Sequence, residues 1–194
     1  MSDTRCHTFT GSSFDPFEPR AEDVRLEDIA HHLSMTCRYG GASPWFYSVA
    51  EHAVRVARLL LQVTGDYRVA LHGLHHDDAE AYIHDIRRPI KVRLLIMGPS
   101  PEWSSCSFEA AEAAVQGAIL QALQIPEPCD TERNLVKCAD NALLLAEMEL
   151  FGMPNRPNLQ TGGMVAELDG PMDWRRAREA FLRTHRRIRE GLQA

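Results

Sequence analysis

The stretch His76-Asp77-Asp78-Ala79-Glu80-Ala81-Tyr82-Ile83-His84-Asp85 places two imidazoles and four carboxylates within ten residues. An imidazole nitrogen beside a carboxylate oxygen is a borderline ligand set for a divalent ion. On a helix, neighbouring residues point ~100° apart, so His76 and Asp77 share an ion only if it sits between their directions. Glu80 follows Asp77 by three residues and His76 by four, which puts it on the same side of a helix. From there it can touch a water at the ion without ligating the ion itself. His52 offers a third ligand, because it falls on the inward stripe of Val49 and Val56. Asp140 offers a fourth, lying beside Val136 and Leu143, where a lone carboxylate is costly unless paired or metal-bound. A histidine on an apolar face is more often a hydrogen-bonded core residue, and such an aspartate can be a salt-bridge partner. Two other registers stand open, His84-Asp85 at a helix end near Pro89, and His75 with Asp78.

The elements that would carry these residues are helical. Leu26, Ile29, Ala30 and Leu33 follow the 3.6-residue period. Residues 39–44 form a Gly/Pro loop. A helix from Ser48 to about Val63 follows, with Ser48 and Glu51 at capping-box spacing. A third helix runs from near Asp66 to Tyr82 or Ile83, and a short fourth from Ile90 to Met97, opened by Pro89. Gly98-Pro99-Ser100-Pro101 is a break. Helices over Phe108–Leu123, Asn134–Phe151 and Trp174–Leu192 complete the pattern, with a Gly/Pro/Asn-rich loop over 152–170. Residues 8–19 read as irregular or extended. No alternating apolar run is long enough for a sheet, and no linker marks a boundary. The expectation is an all-α multi-helix bundle forming one domain over residues 1–194.

Composition excludes several classes. Apolar residues make up 44% and charged residues 25%, the balance of a folded globular chain rather than a disordered one. Five scattered cysteines without a C-x-x-C pair argue against a disulfide framework or a thiolate zinc site. A net charge of −6 disfavours stable nucleic-acid binding. The start lacks an apolar signal core, and no stretch approaches the ~20 apolar residues of a membrane span. A cytoplasmic protein without membrane partners is expected.

The order His52, His76-Asp77, Asp140 on successive helices resembles the HD-domain phosphohydrolase superfamily. Arg38, Ser48-Val49-Ala50-Glu51-His52, His76-Asp77-x-x-Glu80, Asp85, Pro89, Lys91 and Lys137-x-x-Asp140 look like its nucleotide-hydrolysing branch, which includes bacterial 5′-deoxynucleotidases and phage dATP triphosphohydrolases. The resemblance spans roughly residues 38–149. It implies an HD-domain helical bundle with the metal between helices and His52, His76, Asp77 and Asp140 as ligands. It also implies that Glu80 and Asp85 orient or deprotonate the attacking water and protonate the leaving group. One divalent ion is implied: Zn, Co or Mn, with Ni, Fe or Mg as further choices. Such an ion lowers the pKa of its water to about 7 and polarises a phosphoryl group.

Lys137, one turn before Asp140, points toward the same site. The resemblance adds Arg38 and Lys91 as phosphate holders, Tyr39 against the sugar and Pro89 at the base pocket. Three such cations fit a di- or triphosphate better than a monophosphate, which makes a dNTP resembling dATP the leading substrate. A 5′-deoxynucleotidase acting on dNMPs is the nearest alternative. A guanosine-tetraphosphate hydrolase ranks low, because Ala81 follows Glu80. A nonenzymatic nucleotide sensor or structural metal protein is disfavoured by the presence of both Glu80 and Asp85. Arg87, Arg88 and Arg93 read mostly as solvated charges, while His7, His31, His32, His72 and His185 have no evident role. By resemblance, the partners are a small nucleotide and further copies of the chain, as a dimer or hexamer.

Overall fold

The computed structural model describes residues 5–96, 106–154, 156–168 and 170–193. Its architecture is mostly helical. The main helices are α1 (Leu26–Met35), α2 (Val49–Thr64), α3 (Tyr67–Leu74), α6 (Phe108–Ala122), α7 (Asp130–Leu150) and α8 (Trp174–Gly191). Two four-residue helices, α4 (Glu80–Ile83) and α5 (Arg88–Lys91), lie between α3 and α6. Two antiparallel pairs of two-residue strands add to these: β1 (Cys6–His7) with β2 (Ser13–Phe14), and β3 (Leu95–Ile96) with β4 (Cys106–Ser107). The expected helix over residues 90–97 is replaced by α5, a turn and β3; Met97 and the break at Gly98-Pro99-Ser100-Pro101 lie outside the described residues.

Helix α2 is the central element. Its N-cap Ser48 accepts a hydrogen bond from the Glu51 N–H at 3.1 Å, satisfying one of the free donors at the helix start. The Glu51 carboxylate does not close a capping box. It receives Arg55 at 2.7 Å and the backbone N–H of Met172 at 3.0 Å, tying the segment before α8 onto α2. Gly65 ends the helix in the left-handed conformation at φ 66°. Val49, Ala53, Val56 and Leu60 are fully buried on α2, and α3, α7 and α8 all pack against this helix.

A glycine lets α2 and α3 pack closely without displacing buried side chains. A Cβ on Gly73 would overlap Leu60 Cδ1 and sit 3.2 Å from Val56 Cγ1. Helix α8 covers α1, α2 and α3, burying Ala177, Ala180, Phe181 and Ile188. One continuous apolar cluster runs from Phe14 through α1, α2, α3, α6 and α7 to Ile188. Among the described residues, no helix is long and apolar enough to cross a membrane.

The long third helix expected from Asp66 to Ile83 is interrupted. Helix α3 stops at Leu74, residues 75–79 form turns, and α4 starts at Glu80. Short-range bonds from Glu80 N–H to the Asp77 carbonyl and from Ala81 N–H to the Asp78 carbonyl tighten the segment. The Asp78 side chain turns back onto His75 Nδ1 at 2.5 Å, tying the two ends of the turn together.

Candidate metal centre

Two helices and the turn after a third bring their side chains to one point. His52 comes from the first turns of α2, His76 from the turn after α3, and Asp140 from the middle of α7. His52 Nε2 lies 3.2 Å from Asp140 Oδ1, and His76 Nε2 lies 4.0 Å from that same oxygen. Bonds of about 2.0–2.2 Å to one ion put two ligand atoms at most about 4.4 Å apart, so these spacings suit a shared ion. Asp77 stands at the edge of the group, with Oδ2 3.1 Å from His76 Nε2 and 3.6 Å from Arg38 Nη1.

The donor atoms fit an ion. His52 Nδ1 lies 2.6 Å from the Glu147 carboxylate, and His76 Nδ1 lies 2.8 Å from the Gly73 carbonyl. Both partners only accept, so each Nδ1 carries a hydrogen and each Nε2 is the atom left to face Asp140, free to ligate an ion once it gives up its own proton. Both Nε2 atoms are buried and make no hydrogen bond of good geometry. Unpaired buried nitrogens of this kind call for an occupant. Orientation of a ligating imidazole through its other nitrogen is the usual support of a metal site.

The local charges favour a cation. Burial tends to depress the pKa of His76, but the Asp77 and Asp140 carboxylates outweigh it and raise it to about 9. Burial likewise opposes ionisation of Asp140, yet His52, His76 and Lys137 hold its carboxyl well below the ordinary range. Asp77 is lowered too, by His76 against its burial.

Glu80, the first residue of α4, is buried, and its Oε2 has no hydrogen-bond partner. Burial, then the nearby Asp77 and Asp85 carboxylates, push its carboxyl well above the ordinary value. A divalent cation among the ligands would oppose that shift. Asp85 is half-buried just beyond α4 and close enough to act electrostatically on Glu80.

The remaining sequence candidates separate. Lys137 reaches the group, donating to Asp140 Oδ2 at 2.7 Å. Lys91 on α5 pairs with Glu112 at 2.6 Å and shares a cleft of about 240 Å³ with His76 and Asp77. Arg38 is largely covered, lying between Asp77 and Glu147. An antiparallel bridge between Cys37 and Ser48 brings Arg38 beside the start of α2. Tyr39, held at φ 59°, gives its hydroxyl to Glu147 Oε2 at 2.5 Å. Pro89 is exposed and lines neither cleft beside the ligands. Of the alternative registers, His84 is exposed, and His75 with Asp78 faces α8, where His75 Nε2 meets His185 Nδ1 at 2.8 Å.

Several contributors lie beyond the sequence reading. Glu147 is fully buried and gathers Tyr39, Tyr47, His52 and Arg38. Burial would raise its pKa, but His52 and Arg38 prevail and hold it at about 2. Its spacing of seven residues from Asp140, two turns along one face of α7, is the signal that marks it. Gln116 on α6 accepts from Ala79 N–H at 3.0 Å and donates to the His75 carbonyl at 2.6 Å, bridging the two ends of the ligand turn. Nothing in its alanine-rich surroundings announces that role.

No protein-family model matches the chain. It is 34% identical over 146 residues to Uncharacterized protein YfdR of Escherichia coli (strain K12), covering 75% of this chain and 71% of that protein. The chain belongs to the YfdR family. It is also 33% identical over 89 residues to Uncharacterized protein RCAP_rcc00048 of Rhodobacter capsulatus, covering 44% of this chain and 45% of that protein.

Proposed function

We propose that this protein is an HD-type, metal-dependent phosphohydrolase acting on deoxynucleotides, with a dNTP as its leading substrate. The observation that carries the reading is the meeting of two buried imidazole nitrogens that lack hydrogen-bond partners with Asp140, while Glu80, four residues after His76, has a buried Oε2 without a partner. His52, His76 and Asp140 would hold a divalent ion, with Asp77 completing the set. When bound, the ion supplies Lewis acidity toward a phosphoryl oxygen and toward water.

The protein's own groups divide the remaining work. Glu80 accepts a proton from the attacking water. Asp85 protonates the departing oxygen. Lys137 and Lys91, flanking the ligands on two sides, neutralise phosphate charge as compact cations. Arg38, already engaged by Asp77 and Glu147, orients those carboxylates as much as it meets substrate. Cations on both sides of the ligands favour a chain of phosphates over a single one.

The test is a screen of phosphate and oligophosphate release from all dNTPs, NTPs and dNMPs with Mn, Co or Zn, together with metal analysis of the purified protein. The expected result is turnover of at least one deoxynucleotide, faster for dATP than for dAMP at matched concentration. Glu80→Ala should lose roughly 10²–10⁴-fold in kcat, the range for removing a general base. Absence of turnover with every nucleotide and metal would sink the reading.

A further inference from the structure

Resting on the hydrolase reading above, we propose that the nucleoside half of the substrate binds in a cleft built by the N-terminal hairpin, while its phosphates lie in a separate cleft along α7. The first cleft has a volume of about 700 Å³ and lies between the β1–β2 hairpin, the end of α1, and α4. His7, Phe9, Met35, Cys37, Tyr82 and Asp85 are among the residues that line it. None of the four proposed metal ligands does.

Its chemistry suits a neutral heterocycle with hydroxyl groups. No Lys or Arg is among its lining residues, so it offers no permanent positive charge to a phosphate. Phe9 and Met35 each leave about half of their surface exposed, at 48% and 52%. Phe9 is held as a wall by stacking on His31, with ring centroids 3.8 Å apart, and by the Arg178 guanidinium 4.8 Å from its ring centroid. Aromatic and apolar walls with a few polar groups are the usual lining of a small-molecule site.

The second cleft has the opposite character. It holds about 430 Å³ beside His76, Asp77 and Asp140. Arg133 and Lys137, one turn apart on α7, both line it. A phosphate chain would find its cations there and its ligating ion at the inner end.

Two links join the clefts through the centre. Ala81 and Asp85 line the nucleoside cleft, and Ala81 directly follows Glu80, the first residue of α4. Cys37 lines the same cleft and directly precedes Arg38, whose Nη1 lies 3.6 Å from Asp77. A nucleotide spanning the centre therefore has its reacting phosphorus near the ligands, its sugar and base past Asp85, and its further phosphates along α7.

Two measurements test this placement. In the Glu80→Ala protein loaded with metal, the deoxynucleotide turned over by the wild type should slow alkylation of Cys6 and Cys37, read by peptide mass spectrometry. Inorganic tripolyphosphate should not, and exposed Cys106, which lines neither cleft, serves as the internal reference. Separately, Met35→Trp should fill the cleft and lower kcat/KM for the deoxynucleotide by at least about tenfold more than for para-nitrophenyl phosphate, which carries no nucleoside. Equal alkylation with and without nucleotide, in a protein whose wild type hydrolyses that nucleotide, overturns the placement and leaves the hydrolase reading standing. If the wild type hydrolyses no nucleotide at all, the parent reading fails and the placement goes with it. Should Met35→Trp fail to fold, the alkylation result decides.

Discussion

At Glu147 one carboxylate receives Tyr39 Oη at 2.5 Å, Tyr47 Oη at 2.8 Å and His52 Nδ1 at 2.6 Å, with Arg38 Nε 3.5 Å away. These groups converge on a carboxylate that is itself fully buried, and their arrangement depends on the negative charge at their centre. Glu147→Gln keeps the shape but brings a donor where only acceptors fit, and it leaves Arg38 without its buried counter-charge. Breaking a buried pair on one side costs about 3–5 kcal/mol. Losing the group that orients a ligating imidazole weakens metal affinity by roughly 10–100-fold. Calorimetric titration with Zn or Mn should show that loss, alongside a lower melting temperature in the metal-free protein. An unchanged metal affinity would mean that His52 is positioned by its packing alone. His52 and Asp140 stood out in sequence as candidate ligands because they occupy apolar helix faces, where an unpaired polar group is costly, but it was the resemblance rather than the spacing that favoured an ion over an ordinary core histidine and ion pair. Glu147 stood out less, since sequence does not distinguish a carboxylate that steers an imidazole from one in an ordinary ion pair.

The element that shapes the centre is the turn over residues 75–79. In an unbroken helix His76 and Asp77 would diverge; unwound, they bring Nε2 and Oδ2 to 3.1 Å. The sequence reads as one helix through this region, begun by the apolar Ala70, Leu71 and Leu74 and carried on through His75-His76-Asp77-Asp78 to Tyr82 or Ile83. The interruption depends on partners distant in sequence, such as Gln116, and on Asp78 folding back to His75. The turn is anchored by Gly73, whose carbonyl orients His76 and whose missing side chain lets α3 approach α2. Gly73→Ala should therefore act twice. The methyl group collides with Leu60 and pushes α3 from α2, a form of overpacking that costs about 1–3 kcal/mol. The same displacement separates His76 from His52. A denaturant melt should report the lost stability, and metal titration should report weaker binding even below the unfolding transition. Wild-type metal affinity in a destabilised Gly73→Ala protein would show that the ligand turn moves independently of α3.

Across the whole molecule, the helices and their shared core were the most readable features, because 3.6-residue periodicity persists through α1, α2, α7 and α8. The two strand pairs were not, since two-residue strands are too short to show alternation. Nor did periodicity reveal what α8 does beyond covering apolar surface. His185 on α8 meets His75, whose other nitrogen is held by buried Asp78, so the last helix is fastened to the start of the ligand turn through a polar chain. With Asp78 accepting from His75 Nδ1, His75 Nε2 is left as the acceptor and His185 Nδ1 donates. Burial, the facing His75 ring and Arg189 together lower the pKa of His185 to about 4. In the unfolded chain the same imidazole titrates near 6.5, taken as roughly the unperturbed value. Between these two values the unfolded state binds the extra proton, so folding stability falls as pH drops. The contribution of a neutral His185 is complete above about 6.5 and is lost progressively as pH falls toward 4. Melting temperatures of wild type and His185→Gln, measured from pH 8 down to pH 4.5, should show a gap that is constant at the alkaline end. It should narrow below about pH 6.5, because the glutamine does not take up a proton. A gap that stays constant across the whole range would mean that His185 fastens α8 by shape, with its protonation playing no part.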